Sequence, residues 1–283
     1  MSISNKTIFI TGGSTGIGLS IALALAGTNN TLCLFARDLT KLLQARDAVI
    51  KAGSECNIYS VDTRDYTAVK ETMNDAVRDN GAPDILINCV GRAIPHHFSD
   101  ITGPMMEETM RSNFGSAWNI THTLVPYMKE KGGRIVNTSS IGGFVGIFGY
   151  TDYSASKFAL VGFSEALRQE LKKFNIKVQV LCPPDTDTPS FVVENLTKPE
   201  ETRRISESAR LMTPEAVAAE TVKALERNQF MITPGFDGKL SFWLKRHFPF
   251  IMDWILDSAI SGAQRQSHQA VSYTFKRGAL AQA

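Results

Sequence analysis

Short β-branched apolar runs alternate along the chain with longer stretches whose apolar residues recur every three or four positions. The short runs, bounded by turn residues, read as buried strands, and the longer period reads as amphipathic helix. This pattern predicts strands at TIFIT (7–11), TLCLFA (31–36), CNIYSV (56–61), DILINCV (84–90), RIVNTS (134–139) and KVQVLC (177–182), with a weaker seventh at QFMIT (229–233). Helices are predicted near 16–27, 39–52, 66–80, 104–130, 154–173 and 214–228. Alternation of this kind is the mark of βαβ units, whose right-handed crossovers wind helices onto both faces of one sheet. The expected fold is therefore α/β, a doubly wound parallel sheet of about seven strands.

Two segments break the rhythm. Residues 183–213 are polar, begin PPDTDTP and are too long for a simple connection, which makes them a candidate lid. Residues 239–283 form a C-terminal extension whose first half is rich in aromatics. The expected organisation is one domain over 1–238 that contains the lid, followed by the extension.

Composition adds mainly exclusions. The 283 residues suffice for one large α/β domain, and 43% apolar with 20% charged residues is ordinary for a soluble globular protein. A formal net charge of +2 without long like-charge blocks gives no case for nucleic acid as a partner. Cys33, Cys56, Cys89 and Cys182 lack C-x-x-C spacing and three sit in or beside strand-like runs, so buried reduced thiols and a cytoplasmic setting are expected. The first residues enter a strand with no basic-then-apolar leader, and no run of 18 apolar residues occurs, so neither a signal peptide nor a membrane-spanning helix is expected. His96 and His97 have no acid or Cys cluster around them, and no metal is expected.

The chemistry begins at TGGSTGIG (11–18), which joins the first strand to the first helix. Gly12, Gly16 and Gly18 permit a tight turn, close approach to a pyrophosphate and close helix packing, while the helix N-terminus offers N–H donors. Gly12, Ser14, Thr15, Gly16, Ile17 and Gly18 are thus the candidate cradle of a nucleotide cofactor. At the end of the second strand, where an NAD enzyme usually carries an acid, stand Ala36 and Arg37, with Lys41 one helical turn on. Two cations suit a 2′-phosphate and point to NADPH/NADP+. Asp38 is the rival ribose acceptor, although its place before LTKL suits a helix N-cap. Asp62 of VDTRD is a candidate acceptor for the adenine amino group, or another cap. Asn88 and Gly91 of NCVG, and Ser139 and Ser140 of NTSS, fall at the carboxyl edge of the sheet, where such folds bind ligands. Tyr153 follows Ser140 by thirteen residues, at the start of the next helix.

TGGSTGIG, NCVG, NTSS and YSASK, in this order and spacing, resemble the short-chain dehydrogenases/reductases, and the resemblance covers about residues 5 to 233. It implies a Rossmann-like domain in which Tyr153 donates a proton to a substrate carbonyl, Ser140 orients that carbonyl and Lys157 holds the nicotinamide ribose. Tyr153 and Lys157 are one helical turn apart, so a Lys157 cation is expected to favour the phenolate and bring the phenol towards working pH. Asn113 of MRSNFGS would order a water-linked proton path, and Thr188 would bond the nicotinamide carboxamide. The chain departs from the family pattern in reading N-F-G-S after the helical Asn and Pro183-Pro184 after the sixth strand. Tyr150 is a decoy for Tyr153, but Ser154 rather than Lys lies four residues on.

CPPDTDTPSF with the following EN and TKPEETRRIS is similar to the matching segment of one subgroup, the 3-ketodihydrosphingosine reductases. That similarity implies NADPH-dependent reduction of a long-chain (sphingoid) amino ketone. A protonated amine beside the reacting ketone needs an anionic partner, for which Asp185 or Asp187 is the candidate. In the extension, LSFWLKRHFPFIMDWILDSAI (240–260) combines aromatics with Lys245, Arg246 and His247, which suits either a membrane surface or a subunit or lid contact. The family resemblance also implies a homo-oligomer. Two alternatives stay open, reduction of another lipid-like ketone (3-oxoacyl, steroid or retinoid) and a non-catalytic NADPH-sensing protein.

Overall fold

The computed structural model describes residues 3–207 and 209–280, with side chains through Arg265. Its first half runs β1 (Thr7–Thr11), α1 (Gly16–Leu25), β2 (Thr31–Ala36), α2 (Leu39–Lys51), β3 (Glu55–Ser60), α3 (Tyr66–Asn80), β4 (Ile85–Asn88), α4 (Gly103–Met110) and α5 (Ser116–Met128). There follow β5 (Gly133–Thr138), α6 (Thr151–Leu171), β6 (Ile176–Leu181), α7 (Pro189–Glu194), α8 (Glu200–Glu207), α9 (Pro214–Arg227), β7 (Met231–Ile232), α10 (Gly235–His247) and α11 (Pro249–Leu280). All seven strands are parallel, in the order β3-β2-β1-β4-β5-β6-β7.

Alternation within each strand feeds two cores. In β1, β2 and β4 the residues Ile8, Ile10, Leu32, Leu34, Ile85 and Ile87 join one core with Ile21 of α1, Leu42 of α2 and Val217 of α9. Phe9, Phe35 and Leu86 point to the opposite face, against Met73 of α3 and Ile120 and Leu124 of α5. Both faces are covered, which is why the strands read as continuous apolar runs. The strand order reverses between β1 and β4, and that switch point opens a crevice at the carboxyl ends of the strands.

The structure departs from the expected elements in four places. The helix expected over 104–130 is interrupted by a π-helical turn at Arg111–Gly115, whose extra residue re-aims the chain between α4 and α5. The polar 183–213 segment contains two helices, α7 and α8. Its ends are fastened together, since Asp187 N–H donates to Met212 O (2.9 Å) and Met212 N–H donates to Asp185 O (3.0 Å). The last strand shortens to Met231–Ile232. The extension's helices begin at Gly235, ahead of the expected 239, and residues 281–283 lie outside the described residues.

Phe242 of α10 meets Phe144 edge-on at 5.3 Å between ring centroids, and α11 packs along α8. Among the described residues no helix is long and apolar enough to cross a membrane. All four cysteines are unpaired thiols, three of them buried. Trp118 of α5 and Phe158 of α6 are exposed.

The β1–α1 turn is tightly packed at the sheet's edge. A Cβ on Gly18 would lie 2.3 Å from the backbone oxygen of Gly12, and backbone cannot swing aside. Gly18→Ala should cost about 1–3 kcal/mol in thermal unfolding. Gly162, exposed on α6 with nothing near a built Cβ, is the control: Gly162→Ala should stabilise by about 0.5–1 kcal/mol.

Candidate active site

One cleft of about 430 Å3 follows the carboxyl edge of β2, β1, β4 and β5, a size typical of small-molecule and cofactor sites. The turn from β1 to α1 forms its floor, with Gly12, Ser14, Thr15, Gly16, Ile17 and Gly18 all bordering it. Gly12 and Gly16 have φ of +67° and +54°, and a Cβ on Gly12 would press on the Cys89 backbone at 3.0 Å. This is a cradle that side chains would fill, as a bound pyrophosphate requires. Arg37 and Lys41 border the cleft at the end of β2. Asp38 caps α2, accepting from Lys41 N–H at 3.1 Å and pairing with Lys41 Nζ at 3.8 Å. Thr188 caps α7 and rests on the cradle, its Cγ2 lying 3.2 Å from where a Gly16 Cβ would sit.

At the other end of the cleft, β5 runs into Ser139 and Ser140, and α6 delivers Tyr153 and Lys157. The two serines divide their work. Ser139 Oγ donates to the backbone oxygen of Lys157 (2.8 Å), while Ser140 Oγ accepts from Gly142 N–H (3.1 Å) beside Tyr153. Lys157 Nζ donates to Thr138 O (2.9 Å) and stands 5.6 Å from the Tyr153 ring centroid. Gly91 leaves room here, since a Cβ would crowd Lys157 Nζ at 3.0 Å.

The electrostatics of this pair differ from the expected phenol-lowering effect of the Lys157 cation. Burial pushes the Tyr153 phenol above its usual range, the Ser140 hydroxyl opposes that rise, and the Glu194 and Asp185 carboxylates add to it. Burial also lowers the Lys157 ammonium to about 8. A dry site disfavours both charged forms at once, and Lys157 spends its short contact on a backbone carbonyl. The phenol therefore keeps its proton at neutral pH, ready to donate it.

Four sequence candidates do not border the cleft. Asp62 is held by Arg64, whose Nε donates to it at 2.9 Å, and these bonds lower its carboxyl to about 2. Asn88 turns into a buried polar chain, donating to Asn137 Oδ1 (2.9 Å) and Thr121 Oγ1 (3.1 Å), so only the backbone beyond it reaches the cleft. The Asn113 amide is taken up by Arg92 N–H (2.8 Å), Arg92 O (3.0 Å) and Ser156 Oγ (3.0 Å), and it fastens the Gly91–Arg92 loop to α6. Asp187 is exposed, whereas Asp185 borders the cleft.

Pattern reading set Tyr150 aside as a decoy and passed over Glu194 and Lys198. Tyr150 and Glu194 border the cleft, and the Tyr150 hydroxyl donates to Glu194 Oε1. Lys198 Nζ lies 3.2 Å from Glu194 Oε1 and 3.7 Å from Asp185 Oδ2. The available signal was the Glu-to-Lys spacing of four, which on most helices marks a solvated pair. Asp152 was also missed; it accepts from Thr109 Oγ1 (2.6 Å) and Tyr153 N–H (2.8 Å) and so sets the start of α6.

A family profile described as short chain dehydrogenase matches residues 6–199. The 3-ketodihydrosphingosine reductase of Bos taurus is 39% identical over 244 residues, 84% of this chain and 74% of the relative. The 3-dehydrosphinganine reductase of Danio rerio matches with the same identity and coverage. Among solved structures, a short chain dehydrogenase/reductase from Burkholderia phymatum in complex with NAD superposes with a TM-score of 0.74, at 22% identity, covering 82% of this chain and 89% of that one.

The depressed Lys157 value fixes the sign of a stability effect. A folded pKa near 8, below the unfolded 10.5, means that the buried ammonium weakens the fold below about pH 8 and that this penalty fades as pH rises towards 10.5. Lys157→Met should therefore be more stable than wild type at pH 7, by on the order of 1 kcal/mol in denaturant unfolding, and lose that advantage near pH 10. A variant less stable than wild type at pH 7 would contradict the burial effect.

Proposed function

The chain belongs to the short-chain dehydrogenases, oxidoreductases that use a nicotinamide cofactor, and we propose that it reduces the C3 ketone of 3-ketodihydrosphingosine to the amino alcohol with NADPH. The observation that carries this reading is a single cleft bordered by Arg37 and Lys41 at one end and by Ser140, Tyr153 and Lys157 at the other. β1 and β4 separate β2 from β5, so the two ends lie about 14 Å apart, a span for an extended dinucleotide. The substrate follows from relatives of that name across most of the chain.

When bound, the nicotinamide supplies the hydride. The residues 12–18 cradle its pyrophosphate, and Arg37 with Lys41 receives a 2′-phosphate, Asp38 being taken up as a cap. Ser140 and Tyr153 direct their hydroxyls to the carbonyl oxygen. As negative charge grows on that oxygen it becomes a far stronger base than a phenolate, and the Tyr153 proton moves to it. Lys157 holds the ribose and offsets the resulting phenolate charge. Asn113 acts by positioning, through the loop at Gly91–Arg92 and through Ser156.

NADPH oxidation should be fast with 3-ketodihydrosphingosine and slow with a short 3-oxoacyl thioester or a steroid ketone. Tyr153→Phe should lower kcat by about 10²–10⁴-fold, and Arg37→Ala should erode the preference for NADPH over NADH. Fast turnover of another ketone with none of the amino ketone would sink the substrate assignment.

A long-chain ketone resides in membranes, and α10–α11 suits access to one. Phe236, Phe250 and Trp254 are 76%, 67% and 69% exposed, and Lys245 and Arg246 lie between Phe236 and Phe250 on the same segment. Aromatics beside basic residues seat a helix at headgroup level. Binding to anionic vesicles, measured by co-sedimentation, should drop severalfold in a Phe250→Ala/Trp254→Ala double variant; equal binding would remove the membrane role.

A further inference from the structure

An α-amino ketone carries its nitrogen one carbon away from the reacting carbonyl, so its receptor must stand within a few ångströms of Tyr153. Three carboxylates border the cleft: Asp38, Asp185 and Glu194. Asp38 is at the far end, capping α2. Glu194 accepts from the hydroxyl of Tyr150, whose ring centroid is 5.4 Å from that of Tyr153, and Asp185 lies beside it.

We propose that Glu194, supported by Asp185, is the receptor for the substrate ammonium, and that Lys198 is the pair's internal counter-ion. The inference rests on the amino-ketone reading above. Lys198 does not border the cleft. Its side chain is 1% exposed, and its Nζ also reaches Ser206 Oγ (3.1 Å) and lies 4.2 Å from the Phe191 ring centroid. It therefore approaches the carboxylates from behind, and their other side faces the cleft.

Charge arithmetic points the same way. Two carboxylates and one ammonium leave one negative charge, in a place where burial raises the Glu194 carboxyl and makes a bare anion costly. One further cation brings the cluster to neutrality. Glu194 and Asp185 also act on Tyr153, making its proton harder to release. An ammonium bound between them cancels that influence, so a substrate with the amine is protonated more readily than one without. Recognition and proton transfer are thus coupled through the same two charges.

The test compares kcat/KM for 3-ketodihydrosphingosine and for the same ketone lacking nitrogen, in wild type and in Glu194→Gln. Wild type should prefer the amine, and Glu194→Gln should cut that preference by about 10- to 100-fold, mainly through KM for the amino ketone. An unchanged ratio, with the amino ketone still reduced by wild type, overturns the receptor and leaves the reductase reading intact. If wild type reduces the nitrogen-free ketone and not the amino ketone, both fall. Fluorescence of bound reduced cofactor reports whether the variant folds. Should it fail to, wild type alone decides: the product amino alcohol should inhibit at least about tenfold more tightly than its nitrogen-free counterpart, and equal inhibition overturns the proposal.

Discussion

The site depends on how closely α6 approaches the end of β5. Two bonds in opposite directions make that approach, from Lys157 Nζ to Thr138 O and from Ser139 Oγ to Lys157 O. Gly143 makes room for them, since a Cβ there would lie 2.1 Å from Ser139 Oγ and 2.9 Å from Lys157 O. The clamp buries Lys157, half-buries Tyr153, and raises one pKa while lowering the other. A looser contact would admit water and return both groups to ordinary behaviour. The unusual acid–base properties of the pair are thus a by-product of packing.

Around this clamp the cleft is electrically divided. Its β2 end carries exposed cations suited to phosphate, and the wall beside Tyr150 carries carboxylates with their counter-ion sunk behind them. A ligand pair of matching polarity, phosphate at one end and ammonium at the other, would thereby be oriented before any contact with the reacting atoms. The 183–213 segment supplies both carboxylates of the acidic wall and also rests Thr188 on the Gly-rich turn.

How much of this could be read in the sequence depended on whether a signal was local. Strand alternation placed Phe9 and Ile10 on opposite faces, and the glycines at 12, 16 and 18 announced a turn, because period and φ are properties of a few neighbouring residues. The convergence of Ser140, Tyr153 and Lys157 was legible because one strand end and one helix face deliver all three. Side-chain direction at the sheet edge was not: Asn88 turns into the Asn137 chain and Asp62 to Arg64, partners distant or unmarked in sequence. Nor could spacing show that Lys198 is buried, or that the dryness around Lys157 outweighs its nearness to Tyr153. Dielectric environment is a property of the assembled fold.

The π-helical turn at Arg111–Gly115 separates two obligations along one rod. Upstream, Thr109 must meet Asp152, and within the turn Asn113 must meet Arg92; downstream, Ile120, Leu124 and Met128 must face the sheet. Each residue advances a helix by about 100°. Removing one residue from the turn would restore regular winding yet swing the downstream stripe by that angle, away from the sheet. The irregularity works as a phase shifter, and insertions or deletions on either side of it are constrained in a way that substitutions are not.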